Sequence, residues 1–558
     1  MANEVMIAIP GRLHSVTTEG ITSGANEIFD DRRGAFQSDL NGGILEEKAY
    51  SSGSDNGMGR VVLKKNIVSN VNTLTQAMIN TANTIYIIQY DFTLGENITV
   101  PANCVLEFEG GSISGNHTLT GQNTGIKAEL VKIFNTNVTL SGTWNVTEAY
   151  PEWFGAIGDG VTDDTTAIQK TLDSFEITKC VSYNGYALYP DNQGVCLRMS
   201  RGTQLIGIQR RATAGQHKAQ LLVHGTNVIG IEGTERNTIE HISIKGVDTT
   251  GYDQQRIYTS IGIKLNGLCN RISQVDCMTF HICFEFNCFK SVITDCVAIV
   301  AKTGFYFHGD VSDRWYESNT IGAENTSLTI TNCYVMSSTT EGYVFHGITY
   351  SSIINCAADG CGIPFEDIIV SNLDNVFYPY FITKCKGLSV ISCGAEVCGR
   401  FVKIHRSAGV SLNDCSCALN FRVNSEDNVK VHSILRADYS TGVIFKNQIV
   451  FQGNIQLYEN NSSMVLIIEG SQVTILFACS QGGTIYHIFA DRSATSDWGI
   501  PGTGCINVIP MVPMIGSISD IPSVNTVGIG SVYMNTDNNK PLFNLGNKWV
   551  YADGSDIQ

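Results

Sequence analysis

The 558-residue sequence predicts an all-β protein whose largest part is a parallel β-helix, in which the chain winds through a stack of short strands. Three observations lead to this fold. A pattern of apolar and polar residues returns about every 20 residues, and it alternates with the period of a strand rather than of a helix. Glycine is abundant, with 55 residues, whereas proline is scarce, with 11. This composition suits many short strands joined by tight turns.

The repeat is carried by triplets of the form apolar–x–apolar. Their first positions are residues 263, 282, 305, 343, 363, 381, 402 and 421, with one step of 38 residues between 305 and 343. Strand alternation sends the third residues of the triplets inward. They form an apolar column with one exception: Leu265, Phe284, Phe307, Phe345, Phe365, Thr383, Ile404 and Val423. The residues that follow them are all polar and are predicted to face outward: Asn266, Glu285, His308, His346, Glu366, Lys384, His405 and Asn424.

Five cysteines end the same short phrase, with an apolar residue three places earlier and Asp, Asn or Ser directly before them: Cys296, Cys333, Cys356, Cys393 and Cys415. In the copy that starts at Ile363, the same slot falls on Val376. Because valine can replace cysteine in a packing site but not in a metal site, we predict a buried ladder of reduced thiols. Zinc ligation and disulfides are the alternatives, and the CxxC pairs that favour zinc are absent. We therefore expect no metal and no cofactor.

Charge and hydropathy limit the possible partners. The chain has 36 Lys and Arg against 52 Asp and Glu, a net charge of −16, without Lys/Arg runs. Nucleic-acid binding needs positive charge, so no nucleic-acid partner is expected. No apolar run reaches about 18 residues, which predicts no membrane insertion. The first residues, MANEVMIAIPGRLHS, lack a basic segment followed by an apolar core, so we expect no secretion signal.

The pattern divides the chain into four parts. Residues 1–60 are polar and glycine-rich and end in a linker. The parallel β-helix is predicted over 61–455, with a short helix before residue 84 and an entry helix near 162–175, whose buried face carries Ile168, Leu172 and Phe175. Residues 456–515 are predicted to form a β-rich C-terminal domain outside the repeat, and 516–558 a small module of hairpins.

The segment WFGAIGDGVTDDTTAIQKTLD, residues 153–173, resembles the opening motif of the pectate-lyase-like right-handed β-helix superfamily. This superfamily includes phage tailspikes, polysaccharide depolymerases and polygalacturonase-like enzymes. The resemblance implies the fold and its handedness. Asp159, Asp163 and Asp164 lie in this motif, and we assign them to the entry turn and helix cap rather than to catalysis. The hydrolase signatures NTD, DD, GHG and RIK are not found on the predicted coils, which argues against polygalacturonase-type catalysis.

Two further segments resemble virion appendage proteins of phages of gut bacteria, such as crAss-like phages. They are IPGRLHSVTTEGITSGANEIFDD, residues 9–31, and GSVYMNTDNNKPLFNLGNKWVYADG, residues 530–554. The resemblance implies a homotrimer that binds other virion proteins through its N-terminal segment. It also implies a virion protein assembled in the host cytoplasm and released by lysis.

The long step of the repeat, residues 308–327, is the first candidate site. It contains three carboxylates, Asp310, Asp313 and Glu317, and glycoside cleavage uses a pair of carboxyl groups. We predict Asp313 and Glu317 as the acid and its partner, with Asp310 in reserve. Trp315 and Tyr316 could cover the apolar face of a sugar, together with Arg314. The alternative is that 308–327 forms one extra degenerate coil, with the acids solvated.

Polar columns supply further candidates. Glu285, His308, His346 and Glu366 are predicted to stack, and stacked like charges would raise a carboxyl pKa as a general acid requires. His308, His346 and Glu366 are accordingly candidate substrate-binding residues. Asp359 and Glu396 occupy matching slots, predicted two coils and about 10 Å apart. The loop 246–260 is a fourth candidate.

Three functions follow from these observations. The first is a tailspike or tail fibre that binds a host surface polysaccharide and can depolymerise it. The second is a structural or decoration fibre of the virion, for example a head fibre, without enzymatic activity. The third is a cellular carbohydrate-active enzyme, which the missing signatures and the missing secretion signal disfavour.

Overall fold

The computed structural model describes residues 59–64, 72–209, 218–248, 259–309, 325–362, 377–398, 400–419, 435–438, 440, 442–446, 514–523 and 532–557, except 546 and 552. It also describes the backbone of strands in 4–48 and 449–510. The chain separates into two compact units, Met1–Val181 and Ser182–Gln558.

The first unit is built mainly from parallel strands. One sheet runs through Gly59–Val62, Thr84–Ile88, Val105–Phe108, Thr118–Lys127 and Thr139–Trp144, and Ile98–Thr99 pairs with its fourth strand. A second consists of Thr73–Leu74, Phe92–Leu94 and Ile113–Ser114, and Ile177–Lys179 is the last strand of the unit. Two antiparallel pairs precede them, Glu4–Ile9 with Arg12–Thr17 and Ala35–Gln37 with Glu46–Lys48. The short helix predicted before residue 84 is only a single 3-10 turn, Gln76–Met78.

The entry motif folds as predicted. A 3-10 turn, Pro151–Phe154, precedes an α-helix, Thr165–Ser174, that buries Ile168 and Leu172 and is followed by buried Phe175. The predicted structural role of the acids is confirmed. Asp164 accepts hydrogen bonds from the backbone N–H groups of residues 157 and 158, at 2.7 and 2.9 Å. Asp159 accepts from residues 161 and 162, and Asp163 from the first helical residue.

The second unit is a right-handed parallel β-helix with three long sheets, as the sequence predicts. Sheet 1 contains Gln204–Ile206, Thr238–Glu240, Arg271–Ser273, Val292–Thr294, Thr329–Thr331, Ser352–Ile354, Ser389–Ile391, Ser411–Asn413, Val443–Lys446, Val473–Phe477 and Ile506–Pro510. Sheet 2 contains Tyr186–Leu188, Ala219–Val223, Ile242–Gly246, Asp276–Met278, Val297–Ala301, Tyr334–Ser338, Ala357–Asp359, Gly394–Cys398, Ser416–Leu419 and Ile449–Phe451. Sheet 3 contains Val195–Met199, Ile229–Gly233, Ile261–Leu268, Ile282–Phe289, Thr303–His308, Tyr343–His346, Tyr380–Thr383, Val402–His405, Leu435–Asp438, Ser463–Glu469 and Ile485–Asp491. A two-stranded pair, Asn325–Thr326 with Ile348–Thr349, lies beside these sheets.

The interior of sheet 3 contains two ladders of stacked aromatic rings. Phe284, Phe305, Tyr343 and Tyr380 form one ladder, with ring centroids 4.6, 5.2 and 4.9 Å apart. Phe286, Phe307 and Phe345 form the other, at 5.0 Å. All seven rings are buried. The predicted inward face of the repeat is therefore correct.

The predicted register is wrong at two copies. Leu265 pairs with Phe286 and not with Phe284, so the copy at 282 is shifted by two residues. Ile404 pairs with Ile382, so Thr383 is not the polar exception in the apolar column. A shift of two residues keeps a side chain on the same face of a strand, which is why the alternation alone could not detect the first error.

The coils predicted at 363 and 421 do not belong to sheet 3. Strand Tyr343–His346 pairs directly with Tyr380–Thr383, and Val402–His405 pairs directly with Leu435–Asp438. Likewise Thr303–His308 pairs directly with Tyr343–His346, so 308–327 does not add an extra coil to this sheet. Predicted column members Glu366, Phe365, Val423 and Asn424 lie outside the described residues.

The cysteine phrase marks a tight corner between sheets 1 and 2. The residue before each cysteine has a left-handed backbone, with φ between 51° and 54°: Asp295, Asn332, Asn355, Ser392 and Asp414. Asn and Asp tolerate this conformation better than most residues. The five cysteines are free and buried, as predicted. Ile353 pairs directly with Val390, so Cys356 and Cys393 lie in neighbouring coils and not two coils apart, and Val376 lies outside the described residues.

The parallel pairing continues beyond the boundary predicted at 455. Ser463–Glu469 and Ile485–Asp491 extend sheet 3, and Val473–Phe477 and Ile506–Pro510 extend sheet 1. The strands of 456–515 therefore do not leave the repeat before Pro510. The final module is a four-stranded sheet of Met514–Gly516, Val532–Asn535, Lys540–Asn544 and Trp549–Tyr551, whose last three strands form the predicted hairpins. Among the described residues, no helix has the length and hydropathy to span a bilayer.

Candidate functional site

The first predicted site lies outside the described residues. Asp310, Asp313, Arg314, Trp315, Tyr316 and Glu317 all fall between Gly309 and Asn325, and Glu366 falls between Gly362 and Phe377. The chain leaves sheet 3 after His308, whose backbone carbonyl accepts a hydrogen bond from the Asn325 side chain where the chain returns. The roles assigned to these seven residues stay predictions.

His308 lies on the outer face of sheet 3 in a row of opposite charges. Its Nε2 is 3.2 Å from Glu285 Oε1, and Lys264 Nζ is also 3.2 Å from that oxygen. Only 7% of Glu285 is exposed. Burial favours its neutral form, but the hydrogen bond to His308 and the charge of Lys264 outweigh burial, and the pKa of Glu285 is lowered. Glu285 is the register partner of Lys264 and Tyr306, so the prediction that it stacks in one column with His308 is wrong. The raised pKa predicted for a general acid there is also wrong.

His346 is the register partner of His308 in the next coil. The next member of this column is Thr383, and not Glu366 or Lys384. The polar column predicted from the sequence thus contains two of its four proposed functional residues side by side. Because Glu285 is already paired with two neighbours, this part of sheet 3 has the character of a structural ion-pair row.

A second carboxylate pair lies on the outer face of sheet 2. Asp359 and Glu396 are direct register partners in neighbouring parallel strands. Neighbouring strands are about 4.8 Å apart, so the predicted separation of two coils and about 10 Å is wrong. The coil predicted at Ile363, which was expected to separate them, is not part of the sheet. Asp359 is half-buried, and Glu396 is exposed.

Small side chains make a depression beside this pair. The neighbouring outward column of sheet 2 reads Ala357, Gly394 and Ser416 in successive coils. Together with Tyr334, the inward Ala358, Ala395 and Cys417, and the two acids, they line a pocket of about 360 Å³. We call this pocket the sheet 2 groove. Its floor is low because the outward column carries at most one heavy atom beyond Cβ over these three coils.

Tyr334 forms one wall of the sheet 2 groove. Its hydroxyl donates a hydrogen bond to Asp359 Oδ2 at 2.9 Å. Burial, together with the hydrogen bond and negative charge of Asp359, raises the pKa of Tyr334 to about 12. The phenol therefore stays protonated at neutral pH and holds the Asp359 carboxylate in one orientation. Tyr334 was not predicted as a site residue, and only its place directly after Cys333 could have indicated it.

Two buried tyrosines of sheet 3 brace the backbone under the groove. The hydroxyl of Tyr343 lies 2.8 Å from the Cys333 carbonyl and 3.0 Å from the Ala357 carbonyl. One coil later, the hydroxyl of Tyr380 lies 2.8 Å from the Cys356 carbonyl and 3.0 Å from the Gly394 carbonyl. These contacts cross the interior of the helix, so the strands that carry Asp359 and Glu396 have a fixed spacing.

Over the described ranges, no three His, Cys, Asp or Glu side chains are grouped so that they could hold a metal ion. The chemistry that the sheet 2 groove offers is that of two neighbouring carboxyl groups and a phenol.

Comparisons with known proteins concern the fold. No protein-family model matches the chain, and no curated protein matches it. The enzymatically active domain of tailspike protein 2 of bacteriophage CBA120 is 14% identical with a TM-score of 0.43, and the match covers 71% of this chain and 59% of that one. The gp42 tailspike of an Acinetobacter phage is 12% identical with a TM-score of 0.44, covering 72% and 76%. The A-module of a mannuronan C-5 epimerase from Azotobacter vinelandii is 12% identical with a TM-score of 0.36, covering 65% and 93%.

This chain thus spans less than two thirds of the first of these structures. Two of the solved structures to which this chain is similar are phage tailspikes. The origin in a crAss-like phage stays a prediction.

Proposed function

We propose that this protein is a phage virion appendage, of tailspike or tail-fibre type, that binds and cleaves a host surface polysaccharide in the sheet 2 groove. One observation carries the proposal: Asp359 and Glu396 are in register on neighbouring strands beside a floor of small side chains. Glycoside hydrolysis uses two carboxyl groups about 5 to 9.5 Å apart, which neighbouring coils can supply.

The groove suits a sugar ring. A flat aromatic side chain such as Tyr334 can cover the apolar face of the ring, while carboxylates and the Ser416 hydroxyl can bind its hydroxyl groups. In our proposal Asp359, oriented by Tyr334, acts as the ionised carboxylate. Glu396, its register partner on the neighbouring strand, donates a proton to the leaving glycosidic oxygen.

The virion assignment rests on sequence resemblance. Segments 9–31 and 530–554 resemble appendage proteins of phages, and we propose accordingly a homotrimer attached to other virion proteins through its N-terminal segment. Assembly in the host cytoplasm and release by lysis belong to the same proposal.

Asp313 and Glu317, with Asp310 in reserve and Trp315 and Tyr316 as sugar-binding residues, stay our second proposal for the site.

The experiment compares the two carboxylate sets on one substrate. Surface polysaccharide is purified from bacteria that bind the labelled protein, and release of reducing ends is measured for Asp359→Asn, Glu396→Gln, Asp313→Asn and Glu317→Gln. We expect the first two variants to lose about 10²- to 10⁴-fold in rate, and the last two to stay near wild type. The opposite pattern would move the site to 310–317. If the wild type cleaves nothing and binds nothing, the proposed function is wrong and the protein is a structural fibre.

A further inference from the structure

The charges that face the sheet 2 groove have one sign. Its described lining contains two acidic side chains, Asp359 and Glu396, and no Lys, Arg or His. The remaining lining residues are uncharged. The phenol of Tyr334 adds a donor without adding positive charge, because it is protonated at neutral pH.

Lys218, which directly precedes a strand of sheet 2, does not offset this negative charge. Lys218 pairs with Asp276 at 2.8 Å, and Asp276 is two coils from Tyr334 in the same outward column. Two coils correspond to about 10 Å, roughly one Debye length at physiological salt. Lys218 is therefore both neutralised and too far away to bind an anion in the groove.

From this charge distribution we infer that the sheet 2 groove takes a glycan without carboxylate groups at the cleaved sugar, and that it cleaves by hydrolysis rather than by elimination. This inference rests on the proposed function and narrows it to a substrate class. A uronate would bring a further negative charge next to the Asp359 carboxylate, and the described lining contains no cation to compensate it. A neutral or amino-bearing sugar meets no such repulsion.

The reaction type follows from the same charges. Elimination from a uronide removes the proton next to the sugar carboxylate, and it needs cationic groups that stabilise the negative charge developing there. Hydrolysis needs only a proton donor and a base or nucleophile. The C–O bond to the leaving sugar breaks, Glu396 supplies the proton that this oxygen takes up, and the hydroxyl of water ends on the anomeric carbon. No carbon–carbon double bond forms, and the second proton of water restores Glu396.

The test uses one polysaccharide in two charge states. Polysaccharide from bacteria that bind the protein is compared with its carboxyl-reduced form or, where it is naturally neutral, with a form oxidised at C6. Binding is measured at low ionic strength by isothermal titration calorimetry. We expect the neutral form to bind at least about tenfold more tightly than the acidic form. Ser416→Lys, which places a cation on the groove floor, should reduce this ratio to about threefold or less, whereas Ser416→Ala should leave it unchanged.

Each other outcome rejects the inference in a distinguishable way. Equal or tighter binding of the acidic form, lost in Asp359→Asn, would show that the groove accepts anions; the substrate class would be wrong while the proposed function stands. A preference that Ser416→Lys does not change would place the discrimination outside the groove. If neither form binds, the proposed function fails together with the inference. Products with the ultraviolet absorbance of unsaturated uronides would likewise reject hydrolysis.

Discussion

The outer faces of sheets 2 and 3 both carry carboxylates, but in opposite environments. Glu285 on sheet 3 is 7% exposed and lies between Lys264 and His308, each 3.2 Å away. Asp359 and Glu396 on sheet 2 lie beside a pocket whose described lining contains no basic side chain. A buried carboxylate that already contacts a lysine and a histidine has its partners within the protein. A pair facing an open groove is left to interact with a ligand or with water.

This comparison shows how to separate structural from functional acids on a β-helix. An outward position alone did not separate them, because both sites lie on outer faces of the sheets. The difference lies in the neighbouring coils, which supply counter-ions in sheet 3 and small side chains in sheet 2.

The largest expected effect comes from placing a carboxylate in the buried interior of the β-helix, close in sequence to the groove. Cys356 is buried three residues before Asp359, and Cys356→Asp should lower the free energy of unfolding by about 3 to 5 kcal/mol, because the new charge has no partner. Cys356→Val, the control, should change it by less than about 1 kcal/mol. Urea unfolding measures both. Equal effects of Asp and Val would contradict the buried ladder.

The next effect contrasts the two natural acids directly. Glu285→Ala leaves Lys264 and His308 without their shared partner and should cost about 3 kcal/mol of stability. Asp359→Ala should cost only about 1 kcal/mol, since it lies at an open pocket and loses one hydrogen bond, from Tyr334. Thermal unfolding of both variants tests the comparison. A larger loss at Asp359 than at Glu285 would reverse our assignment of structural and functional roles.

The lowered pKa of Glu285 predicts a pH dependence. Its ordinary value is 4.5, and the folded value is lower, so the folded state gains stability from this group above about pH 4.5 and loses it as the pH falls through the folded pKa. The stability difference between wild type and Glu285→Gln should therefore shrink between about pH 5 and pH 3. A difference that is constant with pH would show that Glu285 is not paired when folded.

The smallest effect concerns Tyr334. Tyr334→Phe removes the hydrogen bond to Asp359 but keeps the ring, so cleavage should fall by about tenfold, while binding changes by less than about threefold. Tyr334→Ala should weaken binding as well, because the wall of the groove is lost. Single-turnover rates and calorimetric binding separate the two. Unchanged cleavage by Tyr334→Phe would mean that the phenol does not position Asp359.

Local patterns in the sequence were sufficient to predict the coils, the entry helix and the buried cysteines of this protein. The 20-residue period and its alternation predicted the coils and their inward face. The entry motif predicted the helix and the structural role of Asp159, Asp163 and Asp164 at its entry turn and start. The burial of the five cysteines also followed from their repeated slot. These features depend on residues that are close in sequence, where strand alternation, helix periodicity and capping act directly.

The candidate site depended on tertiary structure. The triplet that starts at Ile363 fits the predicted repeat, so it was counted as a coil and placed Asp359 and Glu396 two coils apart. Backbone pairing made them neighbours, because hydrogen bonds select the strand that completes the sheet and not the next triplet along the chain. The strand pairing also places Glu285 next to His308 and Lys264, and these contacts lower the pKa of Glu285. Which residues share a coil face follows from alternation, but which coils touch is decided by the folding of distant segments onto one another.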